Sequence, residues 1–194
     1  MKTLLLDSSN IDLCVGIAID NELKFSCSYS CWQRQSEMMI PELDKCLKVL
    51  NLSLKDFDEV VCGIGPGSYT GVRIALTIAK TICTLLPIKL KVISSLRMMG
   101  DRESKYISLI NARSSRSYIG VYDKENVVLN DTIMTNDEVK EYVENNPDFE
   151  VVGDCSYIEI SAKNPNILNG LLSLKDIIDP VEDVLSVKPI YLKD

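Results

Sequence analysis

Gly63-Ile64-Gly65-Pro66-Gly67-Ser68-Tyr69-Thr70-Gly71-Val72-Arg73-Ile74-Ala75 leads from an apolar strand into a helix through a turn made of glycine and proline. Residues 60–64 before the turn form a continuous apolar run of strand length. Residues 70–86 after it keep apolar side chains at helical spacing until Pro87 stops them. Ser68 or Thr70 can cap this helix, each offering a side-chain oxygen to a first-turn N–H that has no partner within the helix. Gly65, Pro66, Gly67, Ser68 and Gly71 therefore form a helix-launching turn with backbone donors aimed outward, where an anion or a partner chain could use them. Glycine placed for backbone angles and close packing alone accounts equally well for the same residues.

Two nucleotide-binding motifs fail against this turn by spacing. A phosphate loop needs Lys then Ser or Thr after its last glycine, so that an ammonium reaches the terminal phosphates. Here Gly71 is followed by Val72-Arg73. A dinucleotide fingerprint needs glycines at the first, third and sixth positions. Counted from Gly63 the sixth residue is Ser68, and counted from Gly65 it is Thr70.

With 194 residues, 46% hydrophobic and 25% charged, the chain is globular with a full core, in one domain or two small ones. A net charge of −7 without any Lys/Arg block argues against gripping nucleic acid unaided, because phosphate contacts supply most of that affinity. No apolar run approaches the roughly 18 to 20 residues that span a bilayer. Met1-Lys2-Thr3-Leu4-Leu5-Leu6 meets Asp7 too soon for a signal peptide, so a cytoplasmic protein with no membrane contact is expected.

The chain has no histidine, which removes Ser-His-Asp and Cys-His catalysis, histidine metal sites and the commonest general base together. Its seven cysteines (Cys14, Cys27, Cys31, Cys46, Cys62, Cys83 and Cys155) are odd in number, lack a C-x-x-C pair and read as reduced, buried and structural. Cys27 and Cys31 are four apart, but no second pair completes a tetrahedral site. Neither a catalytic residue nor a metal ligand is expected.

Turn chemistry and alternation predict three strands at 3–7, 14–20 and 23–29, then a helix at 36–50 ended by Asn51. After the glycine turn and its helix come a short strand at 90–93 and a brief helix through Met99. Strands at 106–110, 117–122 and 127–129, a helix at 136–144 and a strand at 150–152 repeat the first order. This reads as a duplicated α/β unit: a first lobe at 1–100, and a second at 101–194 curtailed into the Asn- and Pro-containing stretch 164–180. The final segment 188–193 is expected to return onto a sheet edge, where Pro189 is tolerable.

At this point the residues resemble a known family. The stretch from Gly63 to Ile74 is similar to the signature of the bacterial TsaB proteins of tRNA threonylcarbamoyladenosine biosynthesis, which have the actin-like ATPase (ribonuclease H-like) fold and are relatives of the M22 glycoproteases. Leu6-Asp7-Ser8-Ser9, Gln35-Ser36-Glu37-Met38-Met39-Ile40-Pro41, Val92-Ile93-Ser94-Ser95-Leu96, Ile110-Asn111-Ala112-Arg113 and Lys188-Pro189-Ile190-Tyr191-Leu192 carry the same resemblance along the chain. It implies two lobes of mixed sheet and helices, the second reduced. It also implies a non-catalytic scaffold subunit, paired with a homologous metal-dependent subunit that puts threonylcarbamoyl on the adenosine next to the anticodon of ANN-decoding tRNAs. A small ATPase is the third member; tRNA is met only through the complex, no cofactor is tightly bound, and ATP or ADP enters only on assembly. Three departures stand out: Gln35 replaces a usual histidine, Asn111 a usual aspartate, and the second lobe is short.

The residues themselves agree with a scaffold. Asp7-Ser8-Ser9-Asn10 keeps the acid and hydroxyls of a phosphate hairpin without its glycine, and Val152-Gly153-Asp154-Cys155 is a remnant at best. The helix after the glycine turn is apolar around most of its circumference, wider than one sheet requires, so part of it is expected to meet another chain. Met38 and Met39 add adaptable surface on the preceding helix. The expected partner surface is Met38, Met39, Ile74, Ile78 and Ile82 bordered by Arg73, serving both a homodimer and the catalytic homologue in a four-helix arrangement. Burial of this helix between the lobes of its own chain is the competing account. An alternative function is a small actin-fold metabolite kinase, with Asp7 holding magnesium and the glycine turns holding phosphates.

Overall fold

The computed structural model describes residues 1–31 and 33–192. β1 (Lys2–Asp7), β2 (Asp12–Ile19) and β3 (Glu22–Ser30) form an antiparallel meander, followed by α1 (Gln35–Leu50), β4 (Glu59–Gly63), α2 (Tyr69–Leu85) and β5 (Lys89–Ile93). The five strands lie in the order β3-β2-β1-β4-β5, with β4 parallel to both β1 and β5. Both faces of β1 and β4 are covered, which is why they read as unbroken apolar runs. Leu4, Leu6, Val60 and Cys62 face the α1 and α2 side, packing with Met39, Leu43, Ala75 and Ala79. Leu5 and Val61, one residue out of phase, face the opposite side.

The second sheet has the order β8-β7-β6-β9, from β6 (Lys105–Arg113), β7 (Arg116–Asp123), β8 (Asn126–Thr135) and β9 (Glu150–Val152). α3 (Asn136–Glu144) precedes β9; Thr135 caps it, its hydroxyl accepting from Glu138 N while the Glu138 carboxylate accepts from Thr135 N at 2.7 Å. Val139 packs with Ile107, Leu109, Ile119 and Val121 on one face of this sheet. Leu96 and Met99, between the lobes, pack with Tyr106 and Tyr122 on the other.

The C-terminal stretch departs from the expectation. Residues 164–180 hold a further helix, α4 (Ile167–Leu174), and it packs against the first sheet through Leu168, Leu171 and Leu174, not within the second lobe. An apolar stripe on a helix needs a covering surface, and the open face of β1 and β4 supplies it. The chain then follows the first lobe: Val181 N donates to Leu90 O on the edge strand β5 at 2.8 Å. The final segment does not lie along a sheet edge as expected; Ile190 N donates to Ile64 O at 2.7 Å, above the glycine turn at the end of β4. Lys193 lies outside the described residues. All seven cysteines are free and six are buried, Cys27 being intermediate. Among the described residues no helix is long and apolar enough to cross a membrane.

Candidate functional site

Ser68 is the residue that caps α2, its hydroxyl accepting from Gly71 N at 3.2 Å, while Thr70 lies inside the helix. Most of the turn's chemistry is spent within the chain. Ser68 N donates to Ser9 O at 2.7 Å, and Gly65 N donates to Ser95 Oγ at 2.9 Å. Ser8 Oγ donates to Gly71 O at 2.7 Å and accepts from Ala75 N at 3.1 Å. A Cβ on Gly67 or Gly71 would overlap the carbonyl oxygens of Ser9 and Ser8, and Gly65 sits at a φ of +97°, joined to Pro66 by a cis peptide bond. The close-packing account of these glycines is therefore the one the geometry carries.

Asp7 is 2% exposed. Its Oδ2 accepts from Ser9 N at 3.2 Å and from Ser9 Oγ at 3.1 Å, and its Oδ1 has no hydrogen-bond partner. Burial pushes its pKa up to about 7, against the lowering pull of the Ser9 hydrogen bonds. A carboxylate enclosed against Gly63 and Met98 is poorly placed to hold a hydrated magnesium ion. Gly153 likewise serves packing, since its Cβ would overlap Leu109 O. Among the described residues no group of three or more His, Cys, Asp or Glu is arranged to hold a metal.

A cleft of about 710 Å³ separates the lobes. Asn10, Gln35, residues 67–71 and Ile74 form one wall, and residues 109–113 with Tyr118 and Asp154 form the other. Gln35 is held there by donating from Nε2 to Asn10 O at 3.0 Å. The cleft-lining roles of Gln33, Gln35, Arg113 and Tyr118 were not legible from sequence, because their meeting depends on how the lobes face each other.

The structure divides the expected partner surface. Met39 and Ile82 belong to the core, because the buried stripes Gln35-Met39-Leu43-Cys46 on α1 and Ala75-Ala79-Ile82 on α2 face the sheet. Met38, Ile74 and Ile78 are half-buried at the rim of that core, and Arg73 is exposed. Sequence reading missed three exposed aliphatic side chains of the pair: Ile40 at 53%, Val49 at 65% and Leu85 at 75%. They lie off the main stripes, where no periodicity marks them. Part of the apolar width of α2 is answered by the chain itself. Val181, Val184 and Val187 pack on the same core, and Lys80 Nζ donates to Leu185 O at 2.9 Å and Val187 O at 2.7 Å.

Comparison with known proteins places this arrangement. Residues 31–148, more than half the chain, match the model of the family TsaD, tRNA N6-adenosine threonylcarbamoyltransferase. The TsaB protein of Bacillus subtilis is 31% identical over 69% of this chain and 60% of its own length. The TsaB protein of Buchnera aphidicola from Schizaphis graminum is 28% identical over 65% of this chain and 62% of its own. The matched stretch thus spans about three fifths of these relatives. The crystal structure of a Pseudomonas aeruginosa protein described as similar to the peptidase YeaZ superposes with a TM-score of 0.85 over 99% of both chains, at 21% identity, which speaks for the fold. The chain belongs to the TsaD family, as a TsaB-type member with the actin-like ATPase fold.

Proposed function

We propose that the chain is a non-catalytic subunit of the complex that installs threonylcarbamoyl on N6 of the adenosine next to the anticodon of tRNA, pairing with and supporting a homologous catalytic subunit. One observation carries the reading. The chain matches a transferase family over residues 31–148, yet contains no histidine and, among the described residues, no metal-binding cluster. The buried position of Asp7 weighs in the same direction against the metabolite-kinase reading.

The partner surface in this reading is the outer rim of α1 and α2, namely Met38, Ile40, Ile74, Ile78 and Leu85 bordered by Arg73. A second copy of the chain uses the same rim in the free state. The small ATPase and tRNA join through the assembled complex, and any ATP or ADP is held there. The decisive experiment is reconstitution: omission of this chain should abolish or sharply reduce modification, and the chain alone should neither modify tRNA nor hydrolyse ATP. Full modification without it, or turnover by the isolated chain, overturns the reading.

A further inference from the structure

The last described residues pass from one lobe to the other. Ile190 is bonded to Ile64, and a Cβ on Gly65 would stand 2.6 Å from Ile190 O, so the segment runs directly over the glycine turn of the first lobe. Tyr191 stacks on Tyr69, with ring centroids 5.1 Å apart, and its hydroxyl accepts from Arg73 Nε at 2.6 Å. The Arg73 guanidinium lies 3.9 Å above the Tyr69 ring and also donates to the Tyr69 hydroxyl. One residue later, Leu192 packs in the second lobe against the apolar cluster that contains Ile110, Ala112 and Tyr118. Tyr69 lines one wall of the cleft, and Ile110, Ala112 and Tyr118 line the other.

We propose that residues 190–192 are an interlobe tie that sets the width of the cleft, with Tyr191 clamped to the first wall and Leu192 anchored in the second. The chain otherwise crosses between the sheets after β5 and again after β9. Such crossings allow hinge motion, in which a few linker residues absorb the change. A tie at the walls converts opening into a step that must break the Tyr69–Arg73–Tyr191 stack and return the Leu192 side chain to water. The tie is independent of the tRNA reading, because it concerns the mobility of the free chain.

Amide hydrogen exchange on the full chain tests it. The double variant Tyr191→Ala/Leu192→Ala should exchange about ten-fold faster or more at residues 67–71 and 109–113, with the central amides of β1 and β7 unchanged, as expected for a local opening. Tyr191→Phe, which keeps the ring and loses the hydrogen bond, should fall between. Should the double variant fail to fold, Tyr191→Ala alone serves, since that side chain is 43% exposed and its loss leaves the core intact. Unchanged exchange at the two walls, or an equal rise in every strand, overturns the proposal; the latter would mean that the segment adds only general stability.

Discussion

Ser8 and Gly71, 63 positions apart, are locked together twice: Ser8 Oγ donates to Gly71 O at 2.7 Å, and the Ser8 carbonyl occupies the space a Cβ on Gly71 would need. The first turn of α2 is thereby seated on the turn that follows β1. Gly71→Ala should force that contact apart at a cost of about 1–3 kcal/mol, the range for overpacking a filled site. Thermal or denaturant unfolding checks it, and a variant as stable as the parent would show that the seat can shift without cost.

Asp7 makes stability depend on pH in an unusual sense. Its folded pKa of about 7 lies above the ordinary 3.8, so the unfolded chain releases this proton at lower pH than the folded one. The protonated form suits the fold; its advantage is complete below pH 4, declines as pH rises through about 7, and is gone above it. Asp7→Asn should therefore stabilise the protein at pH 8 by a few kcal/mol relative to its effect at pH 4, on the scale of about 1.4 kcal/mol per pKa unit. Denaturant midpoints of both proteins across that range give the comparison. A difference that stays constant with pH would contradict it.

Glu59 sits at the centre of a buried charge network, accepting from Thr3 Oγ1 at 2.8 Å and pairing with Lys91 at 3.3 Å and Lys175 at 3.4 Å. Lys175 is fully buried and also pairs with Asp176 at 2.5 Å. Glu59→Gln removes the carboxylate paired with Lys91, leaves Lys175 with Asp176 alone, and should cost about 3–5 kcal/mol. Adding Lys175→Met should recover part of that loss, because the double variant removes both members of a buried pair. Equilibrium unfolding of the parent, of Glu59→Gln and of the double variant measures the recovery.

The division of the helix pair gives opposite outcomes for neighbouring residues. If the proposed pairing with a catalytic homologue uses this rim, Ile78→Asp should leave a folded protein that no longer captures that homologue, since an unpaired charge would enter the contact. Met39→Ala, in the core, should cost about 2–5 kcal/mol of stability and leave capture by the remaining folded protein intact. Calorimetry paired with co-purification separates the two. Unfolding of the Ile78→Asp variant would assign that residue to the core.

What the sequence determined by itself was local. The run of apolar residues ending at Gly63, the glycine turn and the stop at Pro87 marked β4, α2 and the end of the helix, because strand length, capping and proline chemistry act between near neighbours. Asn51 was readable as the end of α1, and it takes up a left-handed conformation with φ of 50°. The missing histidine bounded the chemistry without any coordinates. Tertiary structure decided which apolar residues are spare. Met39 and Ile40 are adjacent in sequence, yet one is core and the other surface, and only the position of the sheet distinguishes them. It also decided that α4 and residues 181–187 return to the first lobe, where their apolar side chains find the sheet face and helix flank left uncovered. The clasp of Arg73 by Tyr191, 118 residues away, has no local signature, since a contact between distant segments exists only once both have been brought to the same wall.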